Sequence, residues 1–184
     1  MVDSDILSRV KQRDHAAFKA MYEGCIAYVY AVVRRYVADA SAHQDVIQEI
    51  FARVFLSVHT FDAAKGEFKY WLRRLVINQC LQHTRQGKSP AVVVPIDGVV
   101  ETDTSVEEQL TNLSKEQIEG YLQNMPDGYK QVFMLVVIDE YSHAEVSEMV
   151  GISPETSRSQ LSRAKNWLRN NLINNNKISL AGGL

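Results

Sequence analysis

Helix-breaking residues are scarce in this chain: 184 residues contain only four prolines and nine glycines, so most segments run on without a residue that enforces a turn. Cysteine is scarcer still. Cys25 and Cys80 stand alone, without a second Cys or a His at ligand spacing, which argues against a zinc site and reads as two reduced, partly buried thiols; no metal or other cofactor is expected. No apolar run approaches the ~20 residues of a membrane span, and no N-terminal stretch has the layout of a secretory signal. A cytoplasmic chain with no membrane partner is expected. No nucleophile, base and orienting group come together around Cys80 or the histidines, so no residue is assigned catalysis and the chain does not read as an enzyme.

What is present is apolar periodicity. Hydrophobic residues make up 46% of the chain and recur at three- and four-residue steps, which predicts an all-α protein. Asp14 can cap a helix running to about Val37, with Phe18, Met21, Cys25, Tyr28, Val32 and Tyr36 as its core stripe. Ser41 and Gln44 have capping-box spacing before a second helix to about Val58. Its wide apolar face holds Val46, Ile47, Ile50, Phe51, Val54, Phe55 and Val58, and its opposite side carries Asp45, Gln48, Ala52 and Leu56 in one line, with Glu49, Arg53 and Ser57 beside it. Such a mixed line suits partner docking or plain solvation. A break at Phe61 to Glu67, containing Gly66, precedes a third helix from about Phe68 to Thr84.

Pro90 and Pro95 mark a stretch with little helical signal, although its Val92-Val93-Val94 run is compatible with a short strand. The division read from this pattern is a helical domain at 1–88, a flexible linker at 89–114, a second helical domain at 115–175 and a tail at 176–184. In the second domain, an acidic helix or two leads to Met125-Pro126 and a largely buried helix, Asp127 to about Asp139, bearing Val132, Phe133, Leu135, Val136 and Ile138. Ser142 and Glu145 form a capping box, Gly151 suits a helix end, and Ser153-Pro154 opens a last helix to about Asn171. This is a helix-turn-helix layout.

Net charge is only −2, yet the charges are sorted. Lys65, Lys69, Arg73, Arg74, Arg85 and Lys88 stand against Glu67 alone, the charges from Asp97 to Asp127 are all acidic but Lys115, and Arg158, Arg163, Lys165 and Arg169 restore positive charge. Two basic blocks around an acidic connector fit two backbone-binding surfaces or two solvated helix faces. The last helix begins with Glu155, Thr156, Ser157, Arg158, Ser159, Gln160, Ser162 and Arg163, polar groups that can read base edges and phosphates if the helix enters a major groove. In the first block Phe61, Phe68, Tyr70 and Trp71 are interleaved with lysines and arginines, the composition of a single-strand binder; Trp71 is read as core. Asn78 and Gln79 lie mid-helix, where an outward hydrogen-bonding role is expected.

Two segments then carry a family resemblance. Asp45-Val-Ile-Gln48-Glu49-Ile-Phe51, Phe61-Asp62, Phe68, Trp71-Leu72 and Ile77-Asn78 resemble region 2 of the sigma-70 family, in particular the small extracytoplasmic-function (ECF) sigma factors of bacterial RNA polymerase. Met125-Pro126, Tyr129, Phe133, Leu135, Tyr141 to Val146, Gly151-Ile-Ser, Thr156, Ser159 and Arg163-Ala164-Lys165 resemble region 4. The resemblance implies a non-catalytic subunit whose partners are core RNA polymerase and promoter DNA. It carries core binding onto Asp45, Gln48, Glu49 and Ala52. Minus-ten recognition and melting fall to the loop Phe61 to Gly66, to Lys65, Lys69, Arg73 and Arg74, and to Asn78; minus-thirty-five reading falls to Arg158, Ser159, Ser162 and Arg163.

The chain departs from the family at several points. Ala42, His43 and Gln44 replace an acidic cluster, Ser147 and Ser157 stand where Ala and a β-branched aliphatic are usual, and Gln160 where a base is frequent. Either Asp45 and Glu49 suffice, or a Ser/Thr kinase restores the missing charge at Ser41, Ser57 or Thr60. Electrostatics alone favours Ser41 at the helix N-terminus, while its use as a cap and the place of Thr60 beside the Lys65 loop favour Thr60. An anti-sigma factor is the other regulatory partner the resemblance allows. The competing reading is a stand-alone helix-turn-helix regulator that binds a palindromic operator without polymerase.

Overall fold

The Asp14 carboxylate accepts hydrogen bonds from the Ala16 and Ala17 amides at 2.8 and 3.2 Å, and the helix it caps, α2 (His15–Tyr36), is the centre of the N-terminal half. The computed structural model describes residues 2–87, 120–122 and 124–181, with side chains described through residue 85 and, in the C-terminal half, through residue 172. It divides into two compact units, Met1–Pro90 and Ala91–Leu184. The expected linker, its Val92-Val93-Val94 run and most of the acidic segment lie outside the described residues. Among the described residues every regular element is a helix or helical turn, in keeping with the all-α expectation.

In the first unit a short helix, α1 (Ser4–Lys11), precedes α2. Asp3 caps it, Leu7 and Val10 are buried, and Arg9 forks onto Asp14 with Nε at 2.9 Å and Nη2 at 2.8 Å, joining the end of α1 to the cap of α2. α2 buries Ala17, Met21, Cys25, Val29, Val32 and Val33 and packs against α1, α3 (His43–Ser57) and α4 (Phe68–Gly87). By length and composition α2 could cross a membrane. Here its apolar residues form the middle of a helical bundle. Phe18, Tyr28 and Tyr36, expected in the core stripe, are only half-buried, and Val29 and Val33 take the central places.

The start of α3 differs from the capping box expected at Ser41. Asp39 is the capping residue: its carboxylate accepts from the Ser41 amide at 2.9 Å and from the Ser41 hydroxyl at 2.7 Å, closing a 3-10 turn at Ala40–Ala42 before α3 begins. Those bonds hold the Asp39 carboxyl below the usual carboxylate range. Val46, Ile50, Phe51 and Val54 face the core, where truncating one such side chain costs about 2–5 kcal/mol. Cys80 on α4 is fully buried and burial pushes its thiol up to about 12; Cys25 is likewise buried and its thiol raised by desolvation.

In the second unit α5 (Asp127–Phe133) starts after Pro126 and continues into a π-helical turn, Met134–Ile138. Val132, Phe133, Met134 and Leu135 are buried. The wider turn rotates its last residues outward. Ile138, expected in the core, is 36% exposed, beside Val137 at 37%. α6 (His143–Val150) and α7 (Pro154–Ala181) follow. α7 outruns the expected end at Asn171 and takes in most of the expected tail, because after Pro154 the first glycine or proline is Gly182. Ala164, Leu168 and Leu172 form its buried stripe, and α7 packs on both α5 and α6.

Candidate polymerase and nucleic-acid interfaces

With Val46, Ile50, Phe51 and Val54 turned inward, the helical period places Asp45, Gln48, Glu49, Ala52 and Arg53 on the outer side of α3, and all five are exposed. Leu56 continues the line at 64% exposure, the most open large apolar side chain among the described residues. Glu49 accepts a hydrogen bond from Gln79 Nε2 on α4 at 3.0 Å, so the outer face of α3 is tied to the neighbouring helix. At the end of α3 the Ser57 hydroxyl donates to the Arg53 carbonyl at 2.6 Å and the exposed Thr60 hydroxyl donates to the Ser57 carbonyl at 2.7 Å.

The loop after α3 is built on Phe61. This ring is 7% exposed, meets Phe68 edge-on at 5.5 Å and lies 6.0 Å from Trp71, while Phe68 and Trp71 stack at 5.5 Å. Lys11 closes the cluster, its ammonium 5.4 Å from the Phe61 ring centre and donating to the Phe61 carbonyl at 2.6 Å. Packing covers most of the Phe61 ring, so the start of the loop is anchored on the cluster. Asp62 accepts from the Ala64 amide at 3.0 Å and lies 4.0 Å from Lys65 Nζ. Gly66, at φ 147°, takes a conformation that side-chain-bearing residues rarely adopt as the chain turns into α4.

Three of the four aromatics in this segment thus pack on one another, and the fourth does not. Tyr70 is 60% exposed. Its i, i+4, i+8 line on α4 continues through Arg74 and Asn78, both exposed, with exposed Lys69 and half-buried Arg73 beside it. Tyr70 belongs to the aromatic block of the sequence but is not among the candidate DNA contacts; its helical spacing to Arg74 and Asn78 is the signal that places it on their line.

The helix-turn-helix is pinned by local polar bonds. The Glu145 carboxylate accepts from the Ser142 amide at 2.9 Å and the Ser142 hydroxyl at 2.8 Å, while the Glu145 amide donates to the Ser142 hydroxyl oxygen at 3.3 Å. Gly151 ends α6 at φ 76°, in the left-handed region. The Ser147 hydroxyl donates to the Ile152 carbonyl at 2.5 Å, which gives that departure from the family pattern a structural use inside the turn. Ser153 caps α7 by accepting from the Thr156 amide at 3.1 Å. Arg158 is exposed and lies 3.3 Å from Glu155, whose carboxyl is held low by bonds at the start of α7. Ser159, Ser162 and Arg163 are half-buried along the same helix, and the Ser159 hydroxyl donates to the Thr156 carbonyl at 3.0 Å. The Gln160 side chain lies against Gly128, 3.8 Å from where a Cβ would sit, so part of its surface is turned toward α5. Ser157 is buried completely and meets His143.

Residues 21–89 match the family model for Sigma-70 region 2, and residues 115–168 match that for Sigma-70, region 4. The ECF RNA polymerase sigma factor SigW of Bacillus subtilis is 25% identical, the match covering 90% of this chain and 94% of SigW. The ECF RNA polymerase sigma-E factor of Haemophilus influenzae is 24% identical over 94% of this chain and 96% of its own. Among solved structures, that of CnrH in complex with the cytosolic domain of CnrY superposes with a TM-score of 0.53 at 17% identity, covering 94% of this chain and 97% of the other. The chain belongs to the sigma-70 family of RNA polymerase sigma factors, as a member of its ECF group. Its function is that of the family: it binds core RNA polymerase and directs promoter-specific initiation of transcription.

Proposed function

We propose a division of labour among named residues. The outer face of α3, Asp45, Gln48, Glu49 and Ala52 with Leu56 at its end, docks on core polymerase. The exposed line of α4, Tyr70, Arg74 and Asn78 with Lys65, Lys69 and Arg73, holds the separated strand of the minus-ten element, with Phe61 as the buried base of the adjoining loop. Arg158, Ser159, Ser162 and Arg163 on α7 meet the minus-thirty-five duplex. The observation that carries this reading is that α3 and α4 of one unit present two chemically distinct outward faces, one acidic, amide and apolar, the other cationic, aromatic and amide.

The subunit works by binding alone, in the cytoplasm where polymerase and promoters are. Cations on α4 attract the phosphate backbone, and an exposed aromatic with a neighbouring amide repays the few kcal/mol needed to unstack a base. Replacing Asn78 with alanine tests the assignment. Core binding and closed-complex formation persist under this reading while permanganate-detected opening falls; normal opening refutes it.

Regulation belongs to the same docking face. An anti-sigma factor that covers α3 would compete directly with polymerase, and the solved complex of CnrH with CnrY supports a protein partner of this kind. Phosphorylation is the alternative device. The Ser41 hydroxyl is held on the Asp39 carboxylate, where a phosphate would meet like charge, whereas Thr60 is exposed beside the lysine-bearing loop. Thr60 is therefore the favoured acceptor. Tight, active holoenzyme formed from kinase-free protein would refute a requirement for the modification.

A further inference from the structure

The two helices of the helix-turn-helix are joined by a polar contact. His143, the first residue of α6, places Nδ1 2.8 Å from Oγ of Ser157, the fourth residue of α7. Ser157 is entirely buried, and with Asp139 it makes up the buried polar side chains among the described residues. The Ser142–Glu145 box, the Ser147–Ile152 bond and the Ser153 cap each link residues within five positions, whereas His143 and Ser157 are fourteen apart and span both helices. Farther along α7 the packing is apolar, through Ala164, Leu168 and Leu172. At the end proposed to read DNA, the His143–Ser157 bond adds a directional contact between the two helices.

We propose that His143 is a positioning residue for promoter recognition, and that its bond to Ser157 sets the angle and register at which α7 presents Arg158, Ser159 and Ser162 to the upstream element. A hydrogen bond has a preferred direction and length, whereas aliphatic contact tolerates sliding. Ser157 immediately precedes Arg158, so a small rotation of α7 at this point displaces the guanidinium from a base edge. The departure at Ser157 and the motif residue His143 act as one unit: a buried serine needs a partner, and His143 supplies it. Burial, assisted by the positive charge of Arg158, lowers the basicity of His143, so the neutral ring that makes this contact prevails near neutral pH.

The inference rests on the promoter-reading role proposed for α7, and the test separates the two. Full-length variants are assembled with core polymerase and presented with duplex promoter DNA randomised over the upstream element; the selected sequence and a scrambled control are then compared for affinity across a salt series. His143→Gln and Ser157→Ala should each lower discrimination about tenfold, the equivalent of roughly 1.4 kcal/mol, while leaving the salt slope unchanged. His143→Asn, whose amide can occupy the Nδ1 position, should restore most of it. The double variant His143→Gln/Ser157→Ala should be no worse than either single one, as expected for a coupled pair. Urea unfolding of each variant shows whether the fold persists. Wild-type discrimination in the Gln and Ala variants, or equal weakening on selected and scrambled DNA, overturns the positioning role. If the wild type selects no upstream sequence at all, the promoter-reading assignment of α7 falls, and this inference with it.

Discussion

Gln79 on α4 donates a hydrogen bond to Glu49 on α3 at 3.0 Å, so a side chain of the proposed polymerase-docking face is held by the helix that carries the proposed DNA face. Glu49 is therefore oriented before any partner arrives, while Leu56 at the far end of the line offers uncovered apolar surface. Replacing Leu56 with aspartate should weaken core binding by about 1–2 kcal/mol, the scale of a significant interface side chain, with little change in thermal stability. Titration of labelled protein with purified core enzyme measures the first and a melting curve the second; unchanged affinity would remove Leu56 from the interface.

The aromatic cluster predicts a separation of effects. Phe61→Ala should destabilise the N-terminal unit by about 3–5 kcal/mol, because the ring packs on Phe68 and Trp71. Tyr70→Ala should leave stability within about 0.5 kcal/mol, since Tyr70 is exposed, yet should reduce strand opening. Urea titration and permanganate footprinting distinguish them. Full opening by the Tyr70 variant would take that ring off the strand path.

On α7, Arg158→Ala should cost about 1–3 kcal/mol at a cognate promoter and relax the preference at one position, the signature of a base contact. Arg163→Ala should weaken all sequences alike and reduce the salt slope by about one, the signature of a phosphate contact. Equal affinity and equal preference in both variants would contradict the placement of this helix on DNA.

The lowered basicity of His143 links pH to stability. Its ordinary value is 6.5, and burial with the nearby Arg158 charge depresses it in the folded chain. The unfolded chain therefore takes up the proton first as pH falls through 6.5, and stability present above that value declines below it. His143→Asn should flatten the pH dependence of urea stability of the C-terminal unit between neutral pH and the mildly acidic range. An unaltered slope would show that His143 does not contribute to it.

Much of the C-terminal motif was legible because its signals are local. Ser142 with Glu145, Gly151, and Ser153 before Pro154 each act within four residues of their effect, and all three hold their expected places. What failed depends on competition or on distant packing. Two capping side chains, Asp39 and Ser41, stand two residues apart before α3, and the 3-10 turn decides between them. α1 has only eight residues, too short for its Leu7 and Val10 to stand out as a periodic stripe. That Phe61 enters the core also exceeds local pattern, because it is drawn inward by Phe68 and Trp71 on α4 and by Lys11 on α1. The exposed line on α3 was visible from its period, although the apolar face opposite it was read too wide: Ile47 and Phe55 flank the buried Val46, Ile50, Phe51 and Val54 and are only half-buried.

The most direct test is run-off transcription with purified core polymerase and this chain, on promoter templates selected by the reconstituted holoenzyme. The account predicts initiation at a defined start site that requires both proteins and the two promoter elements, with little binding by the chain alone. Tight binding of the isolated chain to a palindromic operator, with no promoter-specific transcript when core enzyme is added, would contradict it.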